Sequence, residues 1–531
     1  MRFRLQFASI LILLALFLTG CMGEPPIATP NPDFAVNLNL PDVDVTPQAT
    51  PIVPITPVSG GHLHITMPMA ATLNPLLNSD PDVDAVLRLI FEPLVVLDDQ
   101  KRPRPNPAIT RSVVFSADGG SLAVSLHDDI FWEDGSPITA ADIAFSIDVL
   151  RFSASEGAVH VHKVENIVSH AVLDTRTIQI NLQEPSWSMK YMLNFPIIPV
   201  DYYSGTSMTN LRAARNMHPL GNGPFRFLSY DAAGSLELIS NENATGGMPY
   251  ITRITAKVLR EMDGTRYAFE QGFSDILVSS PYDWGRYSAM GKTRAADVLT
   301  GQFDFIGFNA NSRVFSDSQA RAAAAFSFDL QTVLQRYYAQ ADATIVPINP
   351  ESWLAAYDLP EHQFNPGRAA AYFGGLEGVA HITIIVNEDN PEGVGTATIL
   401  ADGLTQAHAR VTLDVLPFSD FLARVESSDF DIVVGGALMS PAPDFGFLQT
   451  ILGYTSEEMS QTLWMMHFAL SESSLTQATV LAQHYVAENL PIIGIAFRRE
   501  VLYTAGHVHG NIQIGAGDVF ANIGNWFIYH P

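Results

Sequence analysis

Cysteine is nearly absent from this sequence. Cys21 is the only one among 531 residues, so the rest of the chain can form no disulfide, thiolate metal cluster or cysteine nucleophile. Charged residues are also scarce, at 16%, and they are unbalanced, with a formal net charge of −26. Nucleic-acid phosphates would repel such a chain, so we exclude nucleic acid as a partner.

The common signatures of catalysis are missing as well. The sequence contains no nucleophile elbow, no zinc-protease helix motif, no phosphate-binding loop and no dinucleotide-binding glycine pattern. These absences do not exclude catalysis, but they remove the specific grounds for it, and we expect neither an enzyme nor a bound cofactor or metal. Hydrophobic residues make up 47% of the chain, which is enough to build more than one large core.

The N-terminus has the layout of a bacterial secretion signal. Arg2 and Arg4 precede an apolar stretch at residues 7–18, and Thr19 and Gly20 lead to Cys21. The apolar stretch is shorter than the roughly 20 residues that a membrane span needs. We interpret residues 1–20 as a signal peptide and Cys21 as the lipid attachment site; the alternative is an uncleaved anchor helix. The mature protein would then be held at the outer face of the cell membrane, or in a periplasm.

The next segment, residues 21–59, is rich in proline and polar residues. Proline breaks helices and withholds a donor from sheets, so we expect an extended tether between the lipid and the folded protein. Folded structure is predicted to begin at Gly60, with a first strand from His62 to Met67.

One later region has a clear α/β pattern. Strands are predicted at residues 381–386, 411–416 and 430–434, with helices at 394–404 and 419–425 between them. This order predicts parallel strands with right-handed crossovers. In such sheets, ligands bind beyond the carboxyl ends of the strands.

Several motifs, in order, resemble one family. Residues 126–143 are the best match, since family members carry a Asp-Gly-x-Pro-x-Thr-Ala-x-Asp pattern there. Shorter matches are Leu73-Asn74-Pro75, residues 90–94, residues 221–227, Phe308-Asn309, residues 315–317, residues 327–329, and residues 430–432 with Pro443-Asp444. The ordered set is similar to the bacterial extracellular solute-binding proteins of family 5, which include the dipeptide-, oligopeptide- and nickel-binding proteins of ABC importers.

This resemblance implies an α/β fold of two lobes around a hinged cleft, the type II, cluster C arrangement of periplasmic binding proteins. The first lobe would comprise residues 60–106, 221–303 and 506–531, with a third subdomain inserted at 107–220, and the second lobe residues 304–505. Segments crossing between the lobes predict a hinge that closes on the ligand. The implied partners are a peptide or similar small solute, an ABC permease and its ATPase subunits. We expect a monomer.

The predicted ligand site lies in the cleft. Asp444 follows the third parallel strand, where peptide-binding relatives use a carboxylate to pair with the ligand's α-ammonium. The sequence departs from that pattern, because Ala442 replaces the first acid of the usual Asp-Pro-Asp and Met439 stands near a usual tryptophan. Gly435 and Gly436 have no side chain, so we expect the backbone there to approach the ligand closely. The predicted ligand-binding residues are Asp444, Met439, Trp353, Asn74 and Asn309.

Other conspicuous residues have a structural interpretation beside a functional one. Glu133, Asp134 and Asp142 are read as turn and cap residues in preference to catalytic carboxylates. The three His-x-His pairs, His62/His64, His160/His162 and His507/His509, are read as hydrogen-bonded side chains in preference to metal ligands. Tyr357 and Trp464 fit either a cleft or a core.

Three other functions remain open at this point. A sensory or chaperone-like binding protein would share the fold and lack a transporter. A nickel or metal-chelate binder would use the histidine pairs, and a secreted hydrolase would need a catalytic pair in the cleft.

Overall fold

The computed structural model describes residues 56–530, except 153–156, 262–263, 291–292, 339–340 and 516–517. The predicted signal peptide, Cys21 and nearly all of the tether lie outside the described residues. No described helix is long and apolar enough to cross a membrane.

The first part of the chain forms a four-stranded sheet with the order β1-β10-β9-β8, in which only β1 and β10 are parallel. Alternating burial along β1 places Leu63, Ile65 and Met67 in the core, and the predicted first strand is confirmed. The elements of residues 60–106 are β1 (His62–Pro68), α1 (Pro81–Leu87), β2 (Val95–Leu97) and β3 (Pro103–Pro105). Those from 221 to 290 are β8 (Phe225–Tyr230), β9 (Ser235–Ser240), β10 (Arg253–Leu259), α5 (Gly264–Glu270), β11 (Ile276–Ser279) and α6 (Trp284–Ser288).

A second four-stranded sheet, antiparallel throughout, lies between these two stretches, with the order β4-β5-β7-β6. Its segment contains β4 (Thr110–Phe115), β5 (Ser121–Leu126), α2 (Ala140–Phe152), β6 (Ile167–Val172), β7 (Thr177–Leu182), α3 (Met189–Met192) and α4 (Val200–Tyr203). We call this segment the insert. Its apolar side chains share one continuous core with β1, and Trp526 near the C-terminus packs into the same core.

The remaining part of the chain is built on a seven-stranded sheet, with the order β11-β17-β12-β16-β14-β15 and β13 paired to β17. Its strands after β11 are β12 (Thr293–Phe308), β13 (Asp342–Ala343), β14 (His381–Asn387), β15 (Arg410–Leu416), β16 (Ile432–Leu438) and β17 (Ile492–Ala505). Its helices are α7 (Ser318–Ser327), α8 (Leu330–Tyr337), α9 (Pro366–Gly374), α10 (Pro391–Gln406), α11 (Phe418–Glu426), α12 (Phe447–Thr450), α13 (Glu457–His467) and α14 (Glu472–Asn489). A short hairpin of β18 (Val508–His509) and β19 (Phe527–Ile528) follows.

The predicted β-α-β-α-β order is confirmed. Strands β14, β15 and β16 are parallel, with β14 in the middle, and α10 and α11 form the crossovers. Pro391 opens α10, and the Asn390 side chain caps it by accepting a hydrogen bond from the Gly393 amide. The third strand begins two residues later than predicted and continues to Leu438.

Side chains alternate along each strand, so neighbouring residues point to opposite faces of this sheet, and both faces are buried. Ile385 and Val433 face one core, whereas Ile384 and Val434 face another. The first of these cores also takes up side chains from the insert, so that face of the sheet looks toward the rest of the molecule.

Two long strands, β12 and β17, connect this sheet to the first part of the chain. Their pairing shifts register between Leu299 and Phe303, where β12 carries extra residues opposite β17. Bulges of this kind bend a strand and are common next to functional sites. The predicted lobe boundary at residues 303–304 falls inside β12.

A buried ionic network joins the insert to the first part of the chain. His160 Nε2 lies 2.8 Å from Asp84 Oδ1, within hydrogen-bond distance. Arg88 pairs with the other oxygen of Asp84 at 3.2 Å. Lys163 and Asp518 lie in the same network. Burial lowers the pKa of His160 to about 4, although the Asp84 carboxylate opposes that shift.

This network predicts a loss of stability on acidification. The unfolded chain binds a proton at residue 160 below about pH 6.5, while the folded chain resists it down to about pH 4. The free energy of unfolding should therefore fall by about 2 kcal/mol from this group between pH 7 and pH 5. His160→Gln, which keeps a donor for Asp84, should remove that slope in urea unfolding curves. A slope that persists unchanged in His160→Gln would assign the loss of stability to other groups.

Candidate functional site

The seven-stranded sheet has a topological switch point at the carboxyl ends of β14 and β16. From β14 the chain crosses to β15 on one side, and from β15 it crosses back to β16 on the other side. The loops that follow β14 and β16 therefore leave in opposite directions, and ligands of open α/β sheets bind in the crevice between two such loops. We take this crevice as the candidate site.

A buried ion pair lies beside the loop that follows β14. Arg498 Nε of β17 lies 2.6 Å from Asp304 Oδ2 of β12, and the Asp304 side chain is only 1% exposed. Gln302 Nε2 donates to the other carboxylate oxygen at 3.2 Å. Burial raises the pKa of the Asp304 carboxyl, and the Arg498 guanidinium opposes this shift by stabilising the charged form.

Arg498 also reaches the start of α10. Its Nη2 donates to Asn390 Oδ1 at 3.1 Å, and its Nη1 lies 3.5 Å from Glu392 Oε2. One guanidinium thus ties the two long strands to the loop after β14. The pair thereby fixes the position of this loop beside the crevice.

Gly436 has a different role from the one that its sequence suggested. A Cβ built on Gly436 would lie 2.3 Å from both Asp304 Oδ1 and Gln302 Nε2. The missing side chain therefore makes room for the buried ion pair on the neighbouring strand, because Asp304 is paired directly with Gly436. The observed contact is with protein groups.

Met439 and Trp353 pack against the same core. The Met439 amide donates to the Gly301 carbonyl at 2.7 Å, which fixes the loop after β16 to the bulge of β12. Trp353 is partly buried, and its Nε1 donates to Tyr191 Oη at 2.9 Å. The other two candidate aromatics are not core residues, since Tyr357 is 92% and Trp464 61% exposed.

Asp444 lies on the loop after β16 and is exposed. Its Oδ1 accepts a hydrogen bond from the Gly446 amide at 2.7 Å, so it shapes the turn that leads into α12. Among the described residues, no recorded contact occupies its second carboxylate oxygen, so that oxygen can meet a ligand. Its pairing with an ammonium stays a prediction.

Asn74 and Asn309 are buried, and the structure does not bring them to the crevice. Asn74 is fully buried, and its Nδ2 donates to Asn216 Oδ1 at 3.0 Å. Asn309 donates to the carbonyls of Ser428 and Phe430, at the opposite end of β16 from Met439. The seven residues of β16 separate those ends by roughly 25 Å at ~3.3 Å per residue. Ligand contact by these asparagines stays a prediction without support from this geometry.

The acidic side chains between residues 133 and 142 make structural contacts, as expected for turn and cap residues. Asp134 Oδ1 accepts from the Ser136 amide at 2.9 Å within the turn, and Asp142 Oδ2 accepts from the Thr139 amide at 2.7 Å at the start of α2. Glu133 Oε2 accepts from the Gly221 amide at 3.3 Å, and burial raises the pKa of Glu133 to about 7. The first two contacts lie within the insert, and the Glu133 contact joins the insert to Gly221 ahead of β8.

The histidine pairs are hydrogen-bonded to protein groups. Asp275 lies between two of them, with His64 Nδ1 at 3.2 Å and His507 Nε2 at 2.9 Å from its two oxygens. His62 Nε2 lies 2.7 Å from Thr255 Oγ1. Over the described parts of the chain, no three His, Cys, Asp or Glu side chains are grouped so as to hold a metal ion.

Sequence reasoning missed Asp304 and Arg498, although a signal was present. Both are charged residues inside strongly apolar strands, and charges in such positions are rarely buried unless they are paired. It also missed Trp187 and Tyr191, which come from the insert and pack into the core beneath Met439 and Trp353. Nothing local in the sequence distinguishes these two aromatics from ordinary core residues.

Comparison with known proteins places the chain in a family. Residues 104–458, more than half of the chain, match the family described as bacterial extracellular solute-binding proteins, family 5. The peptide transport periplasmic protein SapA of Haemophilus influenzae is 23% identical over 527 residues, which covers 87% of this chain and 93% of SapA.

Solved structures share the fold. The ABC transporter substrate-binding protein CtaP of Listeria monocytogenes superposes with a TM-score of 0.76 at 15% identity, covering 90% of this chain and 100% of CtaP. The oligopeptide-binding protein AppA of Bacillus subtilis, solved with a nonapeptide, gives a TM-score of 0.64 at 17% identity over 90% of this chain and 100% of AppA. The chain therefore belongs to the bacterial extracellular solute-binding proteins of family 5 and has their two-lobed α/β fold.

Proposed function

We propose that this protein is the substrate-binding lipoprotein of an ABC importer and that it captures peptides in the cleft between its lobes. The observation that supports this most is the switch point between β14 and β16, where the loop of Met439 and Asp444 leaves the carboxyl end of the sheet. SapA is named for peptide transport, and AppA was solved with a nonapeptide. Delivery to a permease follows from the family's role, and the anchor from Cys21.

The proposed ligand contacts are Trp353, Met439 and Asp444. Trp353 and Met439 supply apolar surface, and the exposed carboxylate of Asp444 supplies the charge that an α-ammonium needs. Backbone groups at the open ends of the strands can hold a peptide as an added strand, which gives affinity without reading every side chain. We expect broad selectivity as a consequence.

Ligand identity is tested first by native purification and mass spectrometry of whatever the protein retains. A retained peptide supports the proposal, and a non-peptide solute in its place contradicts it.

Asp444→Ala should then weaken binding of the retained peptide by on the order of 2–5 kcal/mol, because closure of the lobes would bury the ammonium without its partner. The N-acetylated form of the same peptide should bind both proteins equally, since it carries no ammonium. Titration calorimetry measures both. Asp402→Ala, at an exposed aspartate within α10, is the control and should change neither affinity. Equal losses for the free and acetylated peptides would remove Asp444 as the ammonium partner.

A further inference from the structure

Three aromatic side chains meet where the insert touches the seven-stranded part of the molecule. Trp187 and Tyr191 come from the insert, and Trp353 comes from the loop before α9. The rings of Trp187 and Trp353 are 5.7 Å apart at 61°, and those of Trp187 and Tyr191 are 6.3 Å apart at 74°. Edge-to-face pairs at such distances are attractive beyond the area that they bury. We call these three residues the aromatic junction.

The two junction residues that come from the insert are buried in a core of the seven-stranded part of the molecule. Trp187 is 6% and Tyr191 5% exposed, and both belong to the core that contains Leu475 and Ala478 of α14. The Trp187 amide donates to the Ala469 carbonyl at 2.7 Å. Separation of the two parts would therefore expose two large aromatic rings and leave backbone groups unpaired.

Three polar pairs surround the junction. Arg102 lies 2.7 Å from Glu472, His467 lies 2.6 Å from Glu184, and Lys101 lies 3.4 Å from Glu351. Each pair joins residues 304–505 to the insert or to residues 60–106. The Arg102 guanidinium also covers a face of Trp353, 4.6 Å from its ring centre.

We propose that the aromatic junction is a latch that holds the lobes together through protein contacts alone. Trp353 is also a proposed ligand contact, so this inference rests on the proposed function. The hinge expected from the sequence would close as the ligand binds. The latch changes that expectation, because the closed form is already favoured before binding and ligand entry must wait for the junction to part. Removal of Trp187 should raise the open population on the order of tenfold or more, since it deletes the ring at the centre of the junction.

The test uses distances between spin labels without added peptide. Residues 22–531 contain no cysteine, so in a Cys21→Ser background two labels can be placed at will. Glu165→Cys lies in the insert and Glu457→Cys at the start of α13, and both positions are exposed. The parent should show one short, narrow distance distribution by pulsed electron resonance. Trp187→Ala should broaden it toward longer distances.

Two variants make the result specific. Trp464→Ala removes a 61% exposed tryptophan on α13 and should leave the distribution narrow. Glu472→Gln weakens the surrounding ion pairs and should broaden it slightly, which keeps the test usable if Trp187→Ala fails to fold. X-ray scattering with the retained peptide should show compaction for Trp187→Ala and almost none for the parent.

The latch is overturned if the parent already shows the long distances, or if Trp187→Ala and Glu472→Gln both match the parent. Calorimetry on the same proteins separates this outcome from failure of the proposed function. A wrong latch leaves peptide binding intact in every variant, whereas a wrong function shows no peptide binding in any of them.

Discussion

Cys21→Ser should move the protein from the membrane fraction into the soluble fraction almost completely. Acyl chains on that cysteine would be the hydrophobic attachment, since each buried methylene contributes about 0.8 kcal/mol and two or more chains are needed for stable anchoring. Fractionation of cells followed by immunoblotting measures the change.

The control is Thr46→Ala, within the proline-rich segment that follows Cys21. It should remain with the membranes, because it leaves the acylation site intact. Metabolic labelling with a radioactive fatty acid should mark the parent and Thr46→Ala but not Cys21→Ser. If Cys21→Ser stays with the membranes, an uncleaved N-terminal helix and not a lipid holds the protein.

Arg498→Ala should destabilise the protein by about 3–5 kcal/mol, as expected when one partner leaves a buried ion pair. The Asp304 carboxylate would then be buried without its counter-charge, and the Asn390 and Glu392 contacts at the start of α10 would be lost with it. The free energy of unfolding in urea measures the effect. The double variant Arg498→Ala with Asp304→Asn should recover part of the loss, because no uncompensated charge remains.

Arg253→Ala is the matched control for this pair. Arg253 lies 2.9 Å from Glu237 but is 49% exposed, so water replaces the partner and the loss should stay below about 1 kcal/mol. Similar losses for Arg253→Ala and Arg498→Ala would mean that the Asp304–Arg498 pair is no more than a surface contact. That result would remove the pair as the contact that holds the loop after β14.

Local patterns were enough to predict most elements around the crevice. The apolar runs of β14 and β15, the helical spacing of residues 394–404 and the turn residues before α2 depend only on neighbours in sequence. The motif order was enough for the family, which the match over residues 104–458 confirms. The third strand was placed two residues early, because the turn before it gives a weak start signal and burial decides where pairing begins.

The candidate site was predicted less well, and the reason is distance along the chain. The position after β16 followed from the strand order, so Met439 and Asp444 were predicted there, and their contact with a ligand stays a prediction. Asp304 and Arg498 are 194 residues apart and meet only because β12 and β17 are neighbours in the sheet. Asn309 was chosen from a motif. It follows β12 and lies beside the start of β16, at the far end of that strand from Met439.

The sequence by itself determined the family, through its ordered motifs, and most helices and strands of residues 381–438, through their periodicities. Each of these features is local, and local propensity and burial pattern act on it directly. The tertiary structure decided which side chains face one another. The tryptophan at 353 meets a tyrosine 162 residues away, and Gly436 lies against Asp304. Such contacts depend on strand order, register and the packing of the insert, which no short stretch of sequence specifies.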